Sequence, residues 1–315
     1  MDRAASPVPA WFRSCGGVPP RSAVTASASA AAGNGPGGHG TSVSPPGTLR
    51  IGFLGRAVAI DSDAPEVLAG VEPRFRHLLA PGAGQPLCRI EVRALPDHRY
   101  EFRNGGPAVE AKSLPNLIER LTYQITLRLM ESRPELIWLH AAAVARHGQA
   151  VVLPADSGKG KSTLATLLCS RGWSFLADDI VPLDPATGLL GAFPRSPEIR
   201  HRPPNGSAPV RAQSMQKTLV DLEPADVCRQ NVPARAVVFP AFSPASPLCL
   251  TPCSPANAAL ELLRGCLNFV HHGQGAVAYL CDWSRRVPAF TLAFSDPQEA
   301  ASRIEGLSAD FGAAA

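Results

Sequence analysis

A short glycine-rich loop at residues 155–163 constrains this chain more than any other feature of its sequence. The residues before it, QAVVLPA at 149–155, are mostly apolar and predict a strand. The residues after it, STLATLLCS at 162–170, have helical apolar spacing and lead to Gly172, a favourable residue beyond a helix end. Since strand, loop and helix follow one another directly, we expect an α/β domain with the loop at one edge of its sheet.

The loop fits the pattern G/A-x-x-x-x-G-K-S/T, with alanine where glycine is more easily accommodated. Its residues are Ala155, Asp156, Ser157, Gly158, Lys159, Gly160, Lys161, Ser162 and Thr163. Gly158 and Gly160 allow successive backbone N–H groups to converge on phosphate oxygens at the start of the helix. Lys161 then bridges the β- and γ-phosphates, and the Ser162 hydroxyl reaches Mg²⁺. The loop therefore predicts binding of ATP with Mg²⁺ as cofactors.

Two adjacent carboxylates, Asp178 and Asp179, follow the apolar run at 173–177. One carboxylate at the end of such a strand can hold Mg²⁺, and the other can accept a proton from an incoming hydroxyl. The alternative is a solvated turn in which the pair only caps the next segment. Their position one helix after the loop favours function, but spacing does not decide which aspartate does which task.

A single histidine, His140, interrupts an apolar run at 136–145 that we predict to be a strand. Its neighbours are Leu, Trp, Ala and Val, and a lone histidine among such residues is more often a core or edge residue than a functional one. By chemistry alone a role in the site stays open.

Residues 139–184 together resemble the HPr kinase/phosphorylase family and its HPr-kinase-related members, whose folds are akin to phosphoenolpyruvate carboxykinase. The shared elements are the strand histidine, the hairpin entering the loop, D-S-G-x-G-K-S, then R-G and A-D-D. A weaker similarity runs from Arg235 onward. The resemblance implies an α/β domain of that type, with a mixed sheet carrying the phosphate loop.

The same resemblance implies an ATP- and Mg²⁺-dependent kinase that phosphorylates a serine hydroxyl of a protein or peptide. Carried over by motif position, Asp178, His140 and Lys161 are catalytic, and Ser162 and Asp179 hold the metal. Thr163 stands where the family usually has a metal-binding glutamate. Two alternatives are a regulatory module that binds ATP without transfer and a kinase of a small-molecule or glycan hydroxyl.

The rest of the chain divides into three predicted parts. Residues 1–47 are rich in Ala, Gly, Pro and Ser and predict a disordered tail. Residues 48–112 predict a small β-rich region packed on or belonging to the main domain, and residues 113–308 predict the phosphate-loop domain. The strands expected in the leading part span residues 49–60, 88–93 and 100–103.

Further elements are predicted in the main domain. Ser113 is a plausible N-cap of an amphipathic helix that ends before Pro134. The pattern predicts a strand at 173–184 that is broken at Asp178 and Asp179, and further strands at 235–242 and 287–294. It also predicts a helix at 254–269 and a last helix from Asp296. The Pro-rich stretch 185–235 predicts a mobile surface segment. Its arginines at 195, 200 and 202 could close over substrate, although exposure to solvent is the simpler interpretation.

Composition limits the partners. The formal charge of +4 has no block of one sign behind it, so it predicts no nucleic-acid or membrane partner. The eight cysteines are scattered, which predicts reduced, mostly buried thiols in a cytoplasmic protein. No window is apolar enough for a membrane span or a signal peptide. Formation of a homo-oligomer stays open.

Overall fold

The computed structural model describes residues 47–200 and 217–312. The strands are β1 (Gly47–Phe53), β2 (Arg56–Ser62), β3 (Cys88–Ala94), β4 (Tyr100–Arg103), β5 (Val109–Ala111), β6 (Ile137–Leu139), β7 (Ala141–Arg146), β8 (Gln149–Pro154), β9 (Ser174–Ala177), β10 (Val181–Leu183), β11 (Leu189–Leu190), β12 (Glu198–Arg200), β13 (Lys217–Leu219), β14 (Val232–Phe242), β15 (Cys249–Cys253) and β16 (Ala289–Phe294). The helices are α1 (Pro65–Phe75), α2 (Leu114–Glu131), α3 (Lys161–Cys169), α4 (Pro255–Arg264), α5 (Phe269–His272), α6 (Gln274–Arg286) and α7 (Pro297–Gly312). The predicted disordered tail lies outside the described residues except for Gly47, which begins β1.

The leading sheet has the strand order β1-β2-β3-β4-β5, with α1 and α2 packed against it. The prediction of one strand over 49–60 was wrong, because a turn separates β1 from β2. Leu54 and Gly55 occupy this turn with φ values of 45° and 78°, the left-handed conformation that two-residue hairpins require. β3 adds in parallel to β2, and β4 and β5 continue antiparallel.

Helix α2 begins as predicted at Ser113, whose hydroxyl accepts a hydrogen bond from the Asn116 amide at 3.4 Å. Its buried face consists of residues at three- and four-residue spacing, among them Leu117, Leu121 and Ile125. This face packs on β1, β2 and β5, so the helix covers the leading sheet.

The second sheet is mixed and contains the strand that enters the loop. Its main path runs β6-β10-β11-β14-β8-β7-β9, and β16 pairs with both β14 and β15. β14 is parallel to β8 and β16, whereas β7 is antiparallel to β8 and β9. The described chain is thus a mixed α/β structure, as expected.

His140 breaks the predicted strand 136–145 in two. Its amide donates to the carbonyl of Gly265 at 2.7 Å, so it leaves the ladder at this residue. β6 before it pairs with β10, and β7 after it pairs with β8 and β9. The run 136–145 therefore contributes one strand to each of two parts of the second sheet.

Of the other predicted segments, two need correction and the rest named here are confirmed. The strand over 173–184 is broken at the aspartate pair into β9 and β10, which confirms the predicted break. The stretch 185–235, predicted as a mobile segment, contains β11, β12 and β13 in its described part. The helix expected over 254–269 ends at Arg264, and α5 and α6 follow it. The strand at 287–294 and the last helix are confirmed, with bounds Ala289–Phe294 and Pro297–Gly312.

Three aromatic rings join the two sheets. Phe53 ends β1, Trp138 lies in β6, and Phe193 follows β11. Their ring centroids are 5.5 Å apart for Phe53 and Trp138, 5.1 Å for Phe53 and Phe193, and 5.7 Å for Trp138 and Phe193. All three are buried, so the core continues from one sheet to the other. Within residues 47–200 and 217–312, no helix combines the length and apolarity needed to cross a bilayer.

Candidate functional site

The strand directions bring the predicted polar residues to one edge of the second sheet. β8 and β9 are both antiparallel to β7, so they point the same way and their carboxyl ends lie at the same edge. The loop follows β8, and Asp178 follows β9. His140 directly precedes β7, whose amino end lies at this edge too. Topology alone therefore gathers three separate sequence segments.

The loop has the backbone that its glycines predicted. Gly158 and Gly160 have φ values of 86° and 97°, where an L-residue would be strained. A Cβ atom on Gly160 would also lie 2.8 Å from the Phe294 ring, so a side chain is excluded there by contact as well. Ala155 does not have a positive φ, so alanine is accommodated at the first position without the strain expected from sequence.

Lys161 opens α3 and turns its buried ammonium group toward the strand ends. Nζ lies 3.1 Å from Asp179 Oδ1 and 3.3 Å from His140 Nε2. The His140 Nδ1 atom lies 3.0 Å from the Asp179 backbone carbonyl, which can only accept a hydrogen bond. Nδ1 therefore carries the proton, and Nε2 offers its lone pair to the lysine.

His140 stays neutral in this setting. Burial and then the positive charge of Lys161 lower the pKa of His140 to about 4. A neutral imidazole at this place can accept a hydrogen bond from the ammonium and fix its direction. His140 therefore contacts the loop through Lys161.

Asp178 is a buried carboxylate, 2% exposed, that accepts a hydrogen bond from the Ser162 hydroxyl at 3.0 Å. Burial and the neighbouring Asp179 charge raise the pKa of Asp178 to about 6, although Lys161 and the Ser162 hydroxyl oppose this change. Asp178 is thus the carboxyl of the pair whose pKa lies closer to neutral pH.

Asp179 differs from its neighbour in backbone conformation, exposure, partners and the direction of its pKa change. Its φ of 64° is rare for a residue other than glycine. Its carboxylate, 39% exposed, contacts Lys161 through Oδ1 and Arg195 through Oδ2, the latter at 3.0 Å. Burial would raise the pKa of Asp179, but the charges of Lys161 and Arg195 outweigh it and hold this pKa far below its usual range.

The structure therefore brings together His140, Lys161, Ser162, Asp178 and Asp179. Ser162 contacts Asp178, not Asp179, the residue with which it was predicted to share a metal. Asp156, Ser157, Gly158 and Lys159 are exposed along the loop, and Thr163 is half-buried in the first turn of α3.

Arg195 is the residue at this site that no sequence pattern singled out from the other arginines of its segment. Only the folded chain reveals its contact with Asp179. Residue 200 has only its backbone described, as part of β12, and residue 202 lies outside the described residues.

Hydroxyl and carboxylate oxygens are the ligands that Mg²⁺ prefers, and Mg²⁺ usually takes only one or two of them from the protein. Ser162 and Asp178 supply such oxygens 3.0 Å apart at the start of α3, and Asp179 supplies a carboxylate that stays ionised. The donor set fits the metal, and the loop glycines leave the backbone open to phosphates.

Comparison with known proteins finds relatives that match only part of the chain. The HPr kinase/phosphorylases of two strains of Treponema pallidum are 37% identical to this chain over 89 residues, which cover 26% of the chain and 28% of each relative. Part of this chain is related to HPr kinase/phosphorylases. The chain spans about 28% of the length of the HPr kinase/phosphorylases it matches. No family model matches the chain.

Among solved structures, an Hpr(Ser) kinase/phosphatase from Coxiella burnetii overlaps with 56% of the chain and 98% of its own length, at 11% identity and a TM-score of 0.30. An overlap at this score supports no conclusion about fold or function.

Proposed function

We propose that this chain is an ATP- and Mg²⁺-dependent kinase that transfers the γ-phosphoryl group to a serine hydroxyl of a protein or peptide. The observation that supports this most is the convergence of the loop lysine with two carboxylates of opposite pKa perturbation at one sheet edge. Phosphoryl transfer needs positioning, neutralisation of phosphate charge and an acceptor for one proton. This edge of the sheet offers a group for each need.

The loop supports the first two tasks. Backbone N–H groups from Gly158 to Ser162 would hold the β- and γ-phosphates, and Lys161 would leave Asp179 to neutralise them. His140 would keep the ammonium directed to this side, because its Nε2 atom accepts a hydrogen bond from Lys161. Ser162 and Asp179 would hold Mg²⁺, which supplies charge neutralisation between the phosphates when bound.

The two aspartates are assigned by their proton affinities. A base works best when its pKa is close to the working pH, and the pKa of Asp178 is raised to about 6. Asp179 keeps its charge at any moderate pH, which suits a ligand for a cation. If the Ser162 hydroxyl held a metal, Oδ1 of Asp178 would be free to accept the proton of the substrate serine. We therefore propose Asp178 as base and Asp179 as metal ligand.

The acceptor is proposed by class. A serine of a protein or peptide follows from the HPr kinase/phosphorylases that match part of the chain, and HPr, the protein in their names, is the first acceptor to try. Thr163 in place of the family's usual glutamate favours a second candidate, a module that binds ATP without transferring phosphate.

The test is transfer of label from γ-labelled ATP with Mg²⁺ to HPr and to the proteins of a cell lysate. We expect transfer by the wild type, none by Lys161→Ala, and a loss of about 10²- to 10⁴-fold in Asp178→Asn, the usual range for a general base. Lys112→Ala and Asp282→Asn alter exposed residues far along the chain and serve as matched controls. Label that is unaffected by Lys161→Ala and Asp178→Asn contradicts the kinase, and tight ATP binding without any transfer supports the binding module.

A further inference from the structure

Arg195 lies beyond the run that resembles HPr kinases, yet its guanidinium reaches the centre of the site. Its NH2 group lies 3.0 Å from Asp179 Oδ2, and only 19% of its side chain is exposed. We propose that Arg195 is a catalytic residue that binds the transferring phosphoryl group, leaving Asp179 when the metal and nucleotide arrive. This inference rests on the proposed phosphotransfer and adds one residue to it.

The charges at the site supply the first reason. Two cations, Lys161 and Arg195, share the single carboxylate of Asp179, one on each oxygen. If Asp179 takes a divalent metal, both cations lose their anionic partner and face a repelling ion. A triphosphate supplies the replacement, and Lys161 takes part of it through the loop motif. Arg195 then requires an anionic partner of its own. The terminal phosphoryl oxygens of the nucleotide, held near a metal on Asp179, would supply that negative charge.

The backbone around Arg195 is held while its side chain has an unused donor. Ser196 donates from its amide to the Arg74 carbonyl at 2.9 Å and from its hydroxyl to the Pro73 carbonyl at 2.8 Å. On the other side, Phe193 is locked in the aromatic contact with Phe53 and Trp138. The Arg195 Nε–H is buried without a hydrogen-bond partner among the described residues. The present pose therefore leaves one donor of the guanidinium unsatisfied, so a turn toward phosphate oxygens has a donor to gain.

The transfer of the phosphoryl group involves no covalent bond to Arg195. The bond between the γ-phosphorus and the oxygen that bridges to the β-phosphate breaks, and its electron pair stays on the β-phosphate. The new bond joins phosphorus to the acceptor oxygen, whose proton passes to Asp178. Arg195 neutralises charge on the phosphoryl oxygens while this occurs, as an arginine supplied within the same chain does in other phosphotransfer sites.

The experiment compares Arg195→Gln and Arg195→Lys with wild type, using Arg103→Gln, an exposed arginine of the leading sheet, as matched control. Three quantities are measured: kcat for phosphate transfer, the Kd of ATP with Mg²⁺, and the Kd of ADP with Mg²⁺ and aluminium fluoride, which mimics the transferring group without an acceptor. We expect Arg195→Gln to lower kcat by about 10³-fold, the lower end for such arginines. It should weaken the fluoroaluminate complex by a comparable factor and the ATP complex much less, because the contact with the phosphoryl oxygens is strongest in the transition state. Arg195→Lys should recover a part of both losses.

Unchanged kcat and fluoroaluminate binding in Arg195→Gln would overturn the inference. Equal weakening of ATP and fluoroaluminate binding in both variants would overturn it too, since this assigns Arg195 only to holding the site in shape. Failure of the proposed function would be seen in a different sample, because the wild type itself would then transfer no phosphate. A wild type whose ADP complex gains nothing from aluminium fluoride contradicts both.

Discussion

The leading sheet and the second sheet bury similar apolar side chains but treat charge in opposite ways. In the leading sheet the ion pairs lie at the surface, such as Arg89 with Asp61 and Arg103 with Glu101. At the loop edge of the second sheet, Lys161 and Asp178 are both less than a tenth exposed, and His140 lies buried beside Lys161. The ion pairs of the leading sheet thus stay in contact with water, whereas the loop edge of the second sheet retains a buried lysine and a buried aspartate in places where burial costs free energy.

This difference shows how a site can be recognised without a ligand. Surface pairs contribute little to the free energy of unfolding, so their presence or loss says little about function. Burying a charge costs free energy, so a buried charged group suggests a role other than stability. Groups with strongly displaced pKa values cluster at functional sites. In the described chain Asp178 and Asp179 show this opposition in adjacent residues. Three substitutions test this contrast between the two sheets, and they are given in order of their expected effect on the free energy of unfolding.

The largest effect is expected in the core of the leading sheet. Ile60 in β2 is fully buried, and Ile60→Ala should lower the free energy of unfolding by about 2–5 kcal/mol through lost burial and a remaining cavity. Urea unfolding followed by circular dichroism measures it. Val109→Ala, at a position 39% exposed in β5, is the matched control and should change little. A loss below that of the control would contradict the view that burial alone holds this sheet.

A smaller effect of opposite sign is expected at Asp178. Its folded pKa of about 6 lies above the unfolded value of 3.8, so its contribution favours the folded state only at low pH and is lost as pH rises through about 6. Replacing the charge by a neutral amide of the same shape, Asp178→Asn, should therefore raise the free energy of unfolding at pH 7 by on the order of 2 kcal/mol. The variant would lose the proposed phosphate transfer and gain stability.

The pH dependence checks the cause of that gain. Urea midpoints of Asp178→Asn and wild type should differ most at pH 7 and converge as pH falls toward 4, where the wild-type carboxyl becomes protonated in the folded state and then in the unfolded one. Asp282→Asn, at an exposed carboxylate paired with Arg286, should show no such trend. A difference that stays constant with pH would assign the effect to packing instead of charge.

The smallest effect is expected at a surface pair of the leading sheet. Arg89→Gln removes the partner of Asp61, which lies 2.8 Å away, with about half of the arginine side chain exposed. We expect a loss of roughly 0–1 kcal/mol, reduced further by added salt because exposed charges are screened. Urea unfolding at low and high ionic strength measures it. A loss as large as that of Ile60→Ala would mean that surface charge holds this sheet after all.

The loop and its flanking elements were predictable because each is encoded locally. The apolar run, the glycines and the helical spacing of 149–170 are contiguous, and the structure confirms β8 and α3 there. Ser113 was likewise predictable as an N-cap from its own neighbours. Such features depend on a few adjacent residues, so one sequence suffices to find them.

Other features depend on contacts that adjacent residues do not reveal. The break at His140 depends on the Gly265 carbonyl, which is distant in sequence. Helix α1 was missed because Pro73 lies inside it, and α6 because it starts in a Gly-Gln-Gly sequence that resembles a loop. Arg195 has no local pattern that distinguishes it, since only folding places its guanidinium beside Asp179.

The aromatic contact among Phe53, Trp138 and Phe193 has a consequence for how this chain can evolve. Its first ring belongs to the leading sheet, its second to the sheet of the loop, and its third stands two residues before Arg195. A gene fragment beginning at Ser113 would remove Phe53 and the carbonyls that anchor Ser196, and so expose two large rings to water. The leading sheet therefore cannot be exchanged as a detachable module: recombination would have to carry both sheets together, and their contact residues are expected to covary.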